Sequence, residues 1–270
     1  MNYNITEKQL EILNSLICER LSSNDENLRL IEDFTNSRNE DLESLIKGEA
    51  FEADETGERA FYIVKNKDNR ILIYFSLHAS LLHKRFPEIE QLQNFVTFIQ
   101  DLEHKSDSTG EIKKLIEEYK SIHKQNEERL KRDLEFIEVE SGKKATETFP
   151  SIELGYICVN ESMRDWWNSL GFGEKNRIGI TLFWHCIVPK ILETVKIIGA
   201  KYISLKAADK SEDNILLNHY KAFMGFEKFE GLSAVWSIQE YGCHLLVQEI
   251  SKLQNNQKDF FKNFNRTSDD

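Results

Sequence analysis

The sequence lacks several features that would decide its class at once. Its four cysteines, Cys18, Cys158, Cys186 and Cys243, are far apart and form no C-x-x-C pair. That spacing argues against a zinc-ligand pattern or a disulfide framework and leaves free thiols as the expectation. The start, MNYNITEKQL, has no basic stretch followed by an apolar run, so no secretory signal is read there. The longest apolar run, ITLFWHCIV at 180–188, falls short of the ~20 residues that cross a bilayer. No internal repeat or low-complexity tract stands out. A cytoplasmic protein without a membrane segment is the expectation.

What is present suffices for a large core. Of 270 residues, 40% are hydrophobic and 30% charged, which fits one large domain or two small ones and not wholesale disorder. Acidic residues number 46 against 35 Lys and Arg, a formal charge of -11. That sign disfavours nonspecific binding to phosphate backbones, so nucleic acid is not an expected partner. It suits an amine-bearing partner, although net charge does not set the field at one site.

The N-terminal part reads as helical. Thr6 with Gln9 makes a capping box, and Leu10, Leu13, Ile17 and Leu21 recur at helical spacing, predicting a helix over 6–22. Further helices are predicted at 27–36 and 40–54. Two β-rich runs, AFYIVK and RILIYFSL, flank the turn signal NKDN and predict a hairpin within 56–82. Residues 87–145 are charged and poor in apolar residues; they read as a helical insertion, bent near Ser108-Thr109-Gly110, with solvated faces.

The second half changes pattern. SIELGYICVN reads as a buried strand and ESMRDWWNSLGFGEKN as a loop. The apolar run RIGITLFWHCIVPKILETVKIIG reads as a long helix, kinked at Pro189 and closed by Gly199. A strand at 201–209, a helix at about 212–224, a strand at 232–239 and an amphipathic helix over 242–264 follow. Strand–helix–strand with a buried first strand predicts a parallel pair joined by a crossover. The junction GFGEKNRIGIT places glycines and free N–H groups at a helix start, where a phosphate can be cradled.

In this order the segments resemble the GNAT superfamily of acyl-CoA-dependent N-acetyltransferases. Residues 28–83 are similar to its first half, two helices leading into a hairpin. IELGYICVN resembles its central strand, NRIGITLF the start of its pyrophosphate-binding helix, AKYISLKA the next strand, and NILLNHYKAFMGFEKF the helix ending in Gly-Phe. The resemblance implies an α/β (α+β) fold in a single domain, 1–270: a twisted mixed sheet flanked by helices. Outside the common core lie the charged helical insertion, 84–149, and a C-terminal helix with a polar tail, 242–270.

The resemblance also implies acetyl-CoA as acyl donor, held between two splayed central strands, a primary amine as acceptor, and no metal. The family's phosphate motif, Gln/Arg-x-x-Gly-x-Gly/Ala, falls on Asn176, Gly179 and Thr181, and only Gly179 matches strictly. Arg177 and Lys175 add positive charge beside it, and Ile180 lies within it. Ile157 and Val159 take the strand positions whose backbone faces the thioester and pantetheine arm, with Cys158 turned to the other face. Asn214, counted back from Gly225, takes the place of an asparagine that contacts the CoA arm. The same count puts Lys221 at the position of a tyrosine that protonates the departing thiolate, with Tyr220 one residue earlier; Tyr220 is taken as the acid. Glu153, opening the central strand, is the candidate for water-assisted deprotonation of the amine.

Each role has a plain competitor. Tyr220 also reads as a packed ring with a wet hydroxyl, and Glu153 as a solvent-facing strand residue. His78, His83, His185 and His219 show no metal spacing and read as core or surface histidines. For the whole chain the competitor is a non-catalytic GNAT-fold module that engages a protein through its insertion. Polyamines, aminoglycosides, protein N-termini, lysines and aminoacyl-tRNA all suit the family's chemistry; the acidic balance makes RNA the least expected acceptor.

Overall fold

The computed structural model describes residues 6–84, 148–172, 176–209, 211, 213–228, 232–234 and 243–262. The expected insertion at 87–145 lies outside them. Two compact units are distinguished: Met1–Leu82 with Phe149–Phe229 and Ala234–Asp270, and His83–Thr148 with Glu230–Ser233. The site described below belongs wholly to the first.

Helix α1 (Glu7–Asn14) starts as expected. Thr6 Oγ1 accepts from the Gln9 N–H and Gln9 Oε1 accepts from the Thr6 N–H. It ends far short of residue 22. Ser15 Oγ donates to the Ile12 carbonyl at 2.7 Å, and Ile17–Arg20 forms strand β1, antiparallel to β2 (Ala60–Lys65). The apolar spacing that suggested one helix is equally met by a turn and a short strand. Pairing with β2, and the 2.8 Å ion pair between Lys65 and Glu19, settles the strand. Helix α2 (Glu26–Leu30) runs into a single 3₁₀ turn, Ile31–Asp33. The helix predicted over 40–54 is two: α3 (Glu40–Lys47), capped by the Asn39 side chain, and α4 (Ala50–Glu55). Gly48 breaks them apart with φ -102° and ψ -91°.

Asp54, 2% exposed, ties this region together. Its Oδ1 accepts from Arg20 Nε at 2.6 Å and from the Phe61 N–H at 2.7 Å, and its Oδ2 from the Ser22 N–H at 2.8 Å. Asp54→Asn turns one of these acceptors into a donor facing a buried N–H. The cost should be about 1–3 kcal/mol, read as a lower urea midpoint with unchanged m-value.

The hairpin of β2 and β3 (Ile71–Lys84) is as expected, though β3 outlasts the RILIYFSL run. In its turn Asn66 Oδ1 accepts from the Asp68 and Arg70 N–H groups. Strand β4 (Thr148–Val159) follows. The stretch read as an irregular loop contains helix α5 (Arg164–Ser169), anchored by buried Trp167, whose Nε1 donates to the Asn176 carbonyl at 2.8 Å.

The apolar helix is continuous over Ile178–Ile198, as α6 (Ile178–Leu182), a π turn (Phe183–Ile187) and α7 (Val188–Ile198). The expected disturbance at Pro189 takes this form: proline offers no N–H to the turn before it, and that turn widens. Gly199 ends the helix at φ +67°. Length and composition alone would let this helix cross a bilayer, yet Ile178, Ile180, Leu182, Phe183, Ile187, Val188 and Ile191 all sit in the core.

Strand β5 (Tyr202–Ala207), helix α8 (Ile215–Met224), strands β6 (Leu232–Ala234) and β7 (His244–Glu249) and helix α9 (Ile250–Lys262) complete the described chain. The tail read as one helix over 242–264 is therefore strand first. His244–Glu249 pairs antiparallel with all of β5, from Ala207↔His244 to Tyr202↔Glu249. A short apolar run fits either element by period alone, and the open edge of β5 decides. The main sheet path is β1-β2-β3-β4-β5-β7, with β4–β5 parallel and β1–β2, β2–β3 and β5–β7 antiparallel. The larger core lies under α6–α7 and α9, on one face; a smaller one joins β2–β4 to α3 and α4.

Candidate active site

The site starts from a broken pairing. Strands β4 and β5 pair at Ser151↔Tyr202, Ile152↔Ile203 and Glu153↔Ser204, and no further. Strand β4 runs on to Val159 and β5 to Ala207, so beyond Glu153 and Ser204 their facing edges part. The side chains of β4 show why. Ile152 and Leu154 face the larger core, and so do Ile157 and Val159, whereas Tyr156 and Cys158 face the smaller one. Period-two alternation is interrupted once between Leu154 and Ile157. That is the signature of a bulge, which bends a strand away from its neighbour.

Gly155 sits in the interruption. A Cβ there would lie 2.1 Å from Arg59 Nη1 and 3.0 Å from Ser76 Oγ. The missing side chain thus lets the Arg59 guanidinium lie against the strand, 4.9 Å over the Tyr156 ring. The Tyr156 N–H donates to Ser76 Oγ at 3.0 Å. At the last pairing before the strands part, Glu153 is 4% exposed, not solvent-facing. Its Oε2 lies 3.4 Å from Lys206 Nζ and 3.6 Å from His78 Nε2. His78, read from sequence as an ordinary core or surface histidine, is thus part of this cluster.

The helix start closes the other side. Arg177 is the exposed N-cap of α6, and the first helical bond runs from the Thr181 N–H to the Arg177 carbonyl, leaving the amides of Ile178, Gly179 and Ile180 ahead of it. A Cβ on Gly179 would stand 3.3 Å from Val159 Cγ2, so glycine permits the close approach of this helix start to the end of β4. Ile180 and Thr181 are buried, and Thr181 Oγ1 has no hydrogen-bond partner among the described residues. Asn176 is also buried, its carbonyl taken by Trp167 and its Oδ1 without a partner among the described residues. Lys175 lies outside the described residues. His219 on α8 is held below the ordinary histidine range by burial and then by the Arg177 charge.

Helix α8 sets Tyr220 and Lys221 in different surroundings. Lys221 is exposed. Tyr220 turns inward, packs against the larger core, and meets Phe226 edge-on at 6.4 Å. Burial first, and the Cys158 thiol second, push its hydroxyl up to about 12. Gly225, at φ +75°, donates its N–H to the Tyr220 carbonyl, and Phe226 folds back into the core. Gly-Phe is therefore helix punctuation that also fixes the tyrosine. Asn214 is the exposed N-cap of α8 in a left-handed conformation, φ 51°, without a side-chain capping bond. Asp209 does the capping, accepting from the Leu217 N–H at 2.9 Å.

Ile157, Val159, Asn176, Arg177, Gly179, Ile180 and Thr181 are thus gathered where the helix start meets the end of β4. Glu153 lies where the β4–β5 pairing ends, Tyr220 on the helix turn whose hydroxyl feels Cys158, and Asn214 at the opposite end of that helix. Sequence reading missed Arg59, His78 and Lys206. Alternation along KYISLKA sets Lys206 on the face opposite Leu205, but only the register of three strands brings it to Glu153.

No protein-family model matches the chain, and no curated protein does. Among solved structures, AtaTR bound with acetyl-CoA is similar at 14% identity and a TM-score of 0.50, covering 90% of this chain and 98% of that one. A mutant of KacT aligns at 15% identity, TM-score 0.49, over 90% and 99% of the two chains. AtaT complexed with acetyl-methionyl-tRNAfMet aligns at 14% identity, TM-score 0.47, over 89% and 98%. The mixed sheet with its parted parallel pair, and the likeness to AtaTR, identify this chain's architecture as the GNAT fold.

Proposed function

We propose that this chain is an N-acetyltransferase that moves an acetyl group from acetyl-CoA to a primary amine. The observation that carries the reading is the parting of β4 and β5 after Glu153 and Ser204. Among the described residues it leaves the edge of β4 along Ile157–Val159 without a strand partner on that side, and an extended amide-bearing arm satisfies such an edge. The helix start suits the pyrophosphate. It offers the amides of Ile178, Gly179 and Ile180, the Arg177 charge, and a threonine hydroxyl that lacks a partner. Gly179 keeps this cradle close to the arm's strand.

The residues divide the chemistry as follows. The attacking amine must be neutral, and Glu153, beside the parting, accepts its proton through water. The acyl oxygen gains negative charge during attack, and backbone N–H groups of β4 beyond the bulge, past Tyr156 whose N–H is taken by Ser76 Oγ, would be its donors. The thiolate leaves with a proton from Tyr220.

A thermal shift tests the donor. Acetyl-CoA at ~100 times its Kd should stabilise the protein by about 2.7 kcal/mol, and the absence of any shift would end the reading. Arg177→Glu, an exposed change, should leave the ligand-free melting temperature in place while weakening acetyl-CoA binding roughly tenfold or more. Equal binding by this variant would move the phosphate site elsewhere.

A further inference from the structure

We infer that the amine acceptor carries an oxyanion close to its amine, and that Arg59 binds it. The inference rests on the acetyltransferase reading and adds a substrate class to it. Its basis is a row of charged groups on one face of the sheet, crossing the strands where β4 and β5 part.

The row begins at Arg59. The β2–β3 register sets Ala60 opposite Leu77 and Phe61 opposite Ser76, so Arg59 enters the sheet beside His78. On the next strand stands Glu153, 3.6 Å from His78 Nε2, and on the one after that Lys206, 3.4 Å from the same carboxylate oxygen. Tyr74 belongs to the smaller core, and alternation along β3 puts Ser76 and His78 on its side. Tyr156, over which Arg59 lies, packs into that core as well. The row therefore occupies the face opposite α6 and α7.

The balance along this row differs from that of the chain. The molecule is acidic, at -11. Among the described residues the row holds two permanent cations, Arg59 and Lys206, with the imidazole of His78 and the carboxylate of Glu153. Glu153 is engaged by Lys206 and His78. Arg59 forms no ion pair among the described residues. Its guanidinium is partly withdrawn from water, flat over one aromatic ring, and admitted to the strand because Gly155 has no side chain. A planar cation held in place with its fork unused is built for two parallel hydrogen bonds to a carboxylate or phosphate. The Arg59 charge also favours the neutral form of an amine brought beside it, which is the form that attacks.

The test uses four acceptors that share a primary amine: glycine, O-phosphoethanolamine, ethanolamine and spermidine, with release of the CoA thiol as the readout. The first two carry the oxyanion as carboxylate and as phosphate, and the better of them names the source. The expected result is a kcat/KM for one of them about 10- to 100-fold above ethanolamine, the usual worth of hydrogen bonds to a charged group. In Arg59→Gln that preference should fall by a similar factor, while the acetyl-CoA thermal shift stays as in the parent chain. Three results overturn the inference: ethanolamine or spermidine as the best acceptor, a preference that survives Arg59→Gln, or acetyl-CoA binding with none of the four used. A missing acetyl-CoA shift in the parent chain is a separate failure, because it removes the acetyltransferase reading and the inference with it.

Discussion

Tyr220→Phe should lower turnover about 10²–10⁴-fold, the worth of a positioned general acid, and leave acetyl-CoA affinity nearly unchanged. The substitution is clean. The ring keeps its edge-on contacts with Phe226 and His219, and the backbone carbonyl of residue 220 still receives the Gly225 N–H. Only the donor is lost. Because burial pushes the phenol from its ordinary 10.0 up to about 12, it stays protonated through the neutral range and keeps a proton to give. The same shift has a stability consequence with a definite sign. The folded state holds the proton more tightly than the unfolded chain, so the stability tied to Tyr220 is intact below pH 10 and is lost as pH rises from 10 to about 12. In the phenylalanine variant this part of the alkaline fall should vanish. Lys221→Met, on the exposed side of the same turn, should change little. A loss confined to the lysine variant would transfer the role to Lys221 and return Tyr220 to packing.

The comparison between Tyr220 and Lys221 shows what the sequence carried. Counting along the chain from Gly225 favoured the lysine by one place, and no count could tell which side of the helix faced the sheet. The fold sets Tyr220 on the apolar side with Leu217 and Met224 and leaves Lys221 exposed. The second half of the fold was legible for a similar reason: SIELGYICVN, the long apolar helix and KYISLKA are each decided by strong local patterns. Ile17–Arg20 and His244–Glu249 were not. Both are short stretches whose pattern fits a helix or a strand, and each becomes a strand only because a partner edge, β2 or β5, waits for it.

The helix start proposed to hold the phosphate was legible from Gly179 and its neighbours, since a helix start is a local feature. Glu153 was singled out from the sequence as the candidate base, but its surroundings were not legible. Lys206 lies far along the chain and His78 on another strand, and neither carries a signal in its own neighbourhood. The same holds for Arg59 against Gly155, where the informative fact is a missing Cβ two strands away. Nor does a total charge of -11 announce a locally cationic row. Functional electrostatics here is a property of register, and register is what a single sequence states least.

Glu153 gives the second large effect, and two substitutions separate its two possible roles. The carboxylate is buried between Lys206 and His78. Glu153→Gln keeps the shape and removes the charge, so Lys206 faces a neutral amide in a site with little water. Breaking a buried pair from one side costs about 3–5 kcal/mol, and the variant should unfold at a clearly lower urea concentration. Adding Lys206→Met removes the cation as well and should return much of that loss, as a double-mutant cycle for residues in contact would register. Activity then decides the role. If Glu153 accepts the proton of the amine, the double variant is stable but stays about 10²–10⁴-fold slow, because the proton acceptor is still missing. Its rate should also recover at higher pH, where more of the amine is neutral before it binds. If turnover instead returns together with stability, the carboxylate serves to hold Lys206, and deprotonation is left to the solvent.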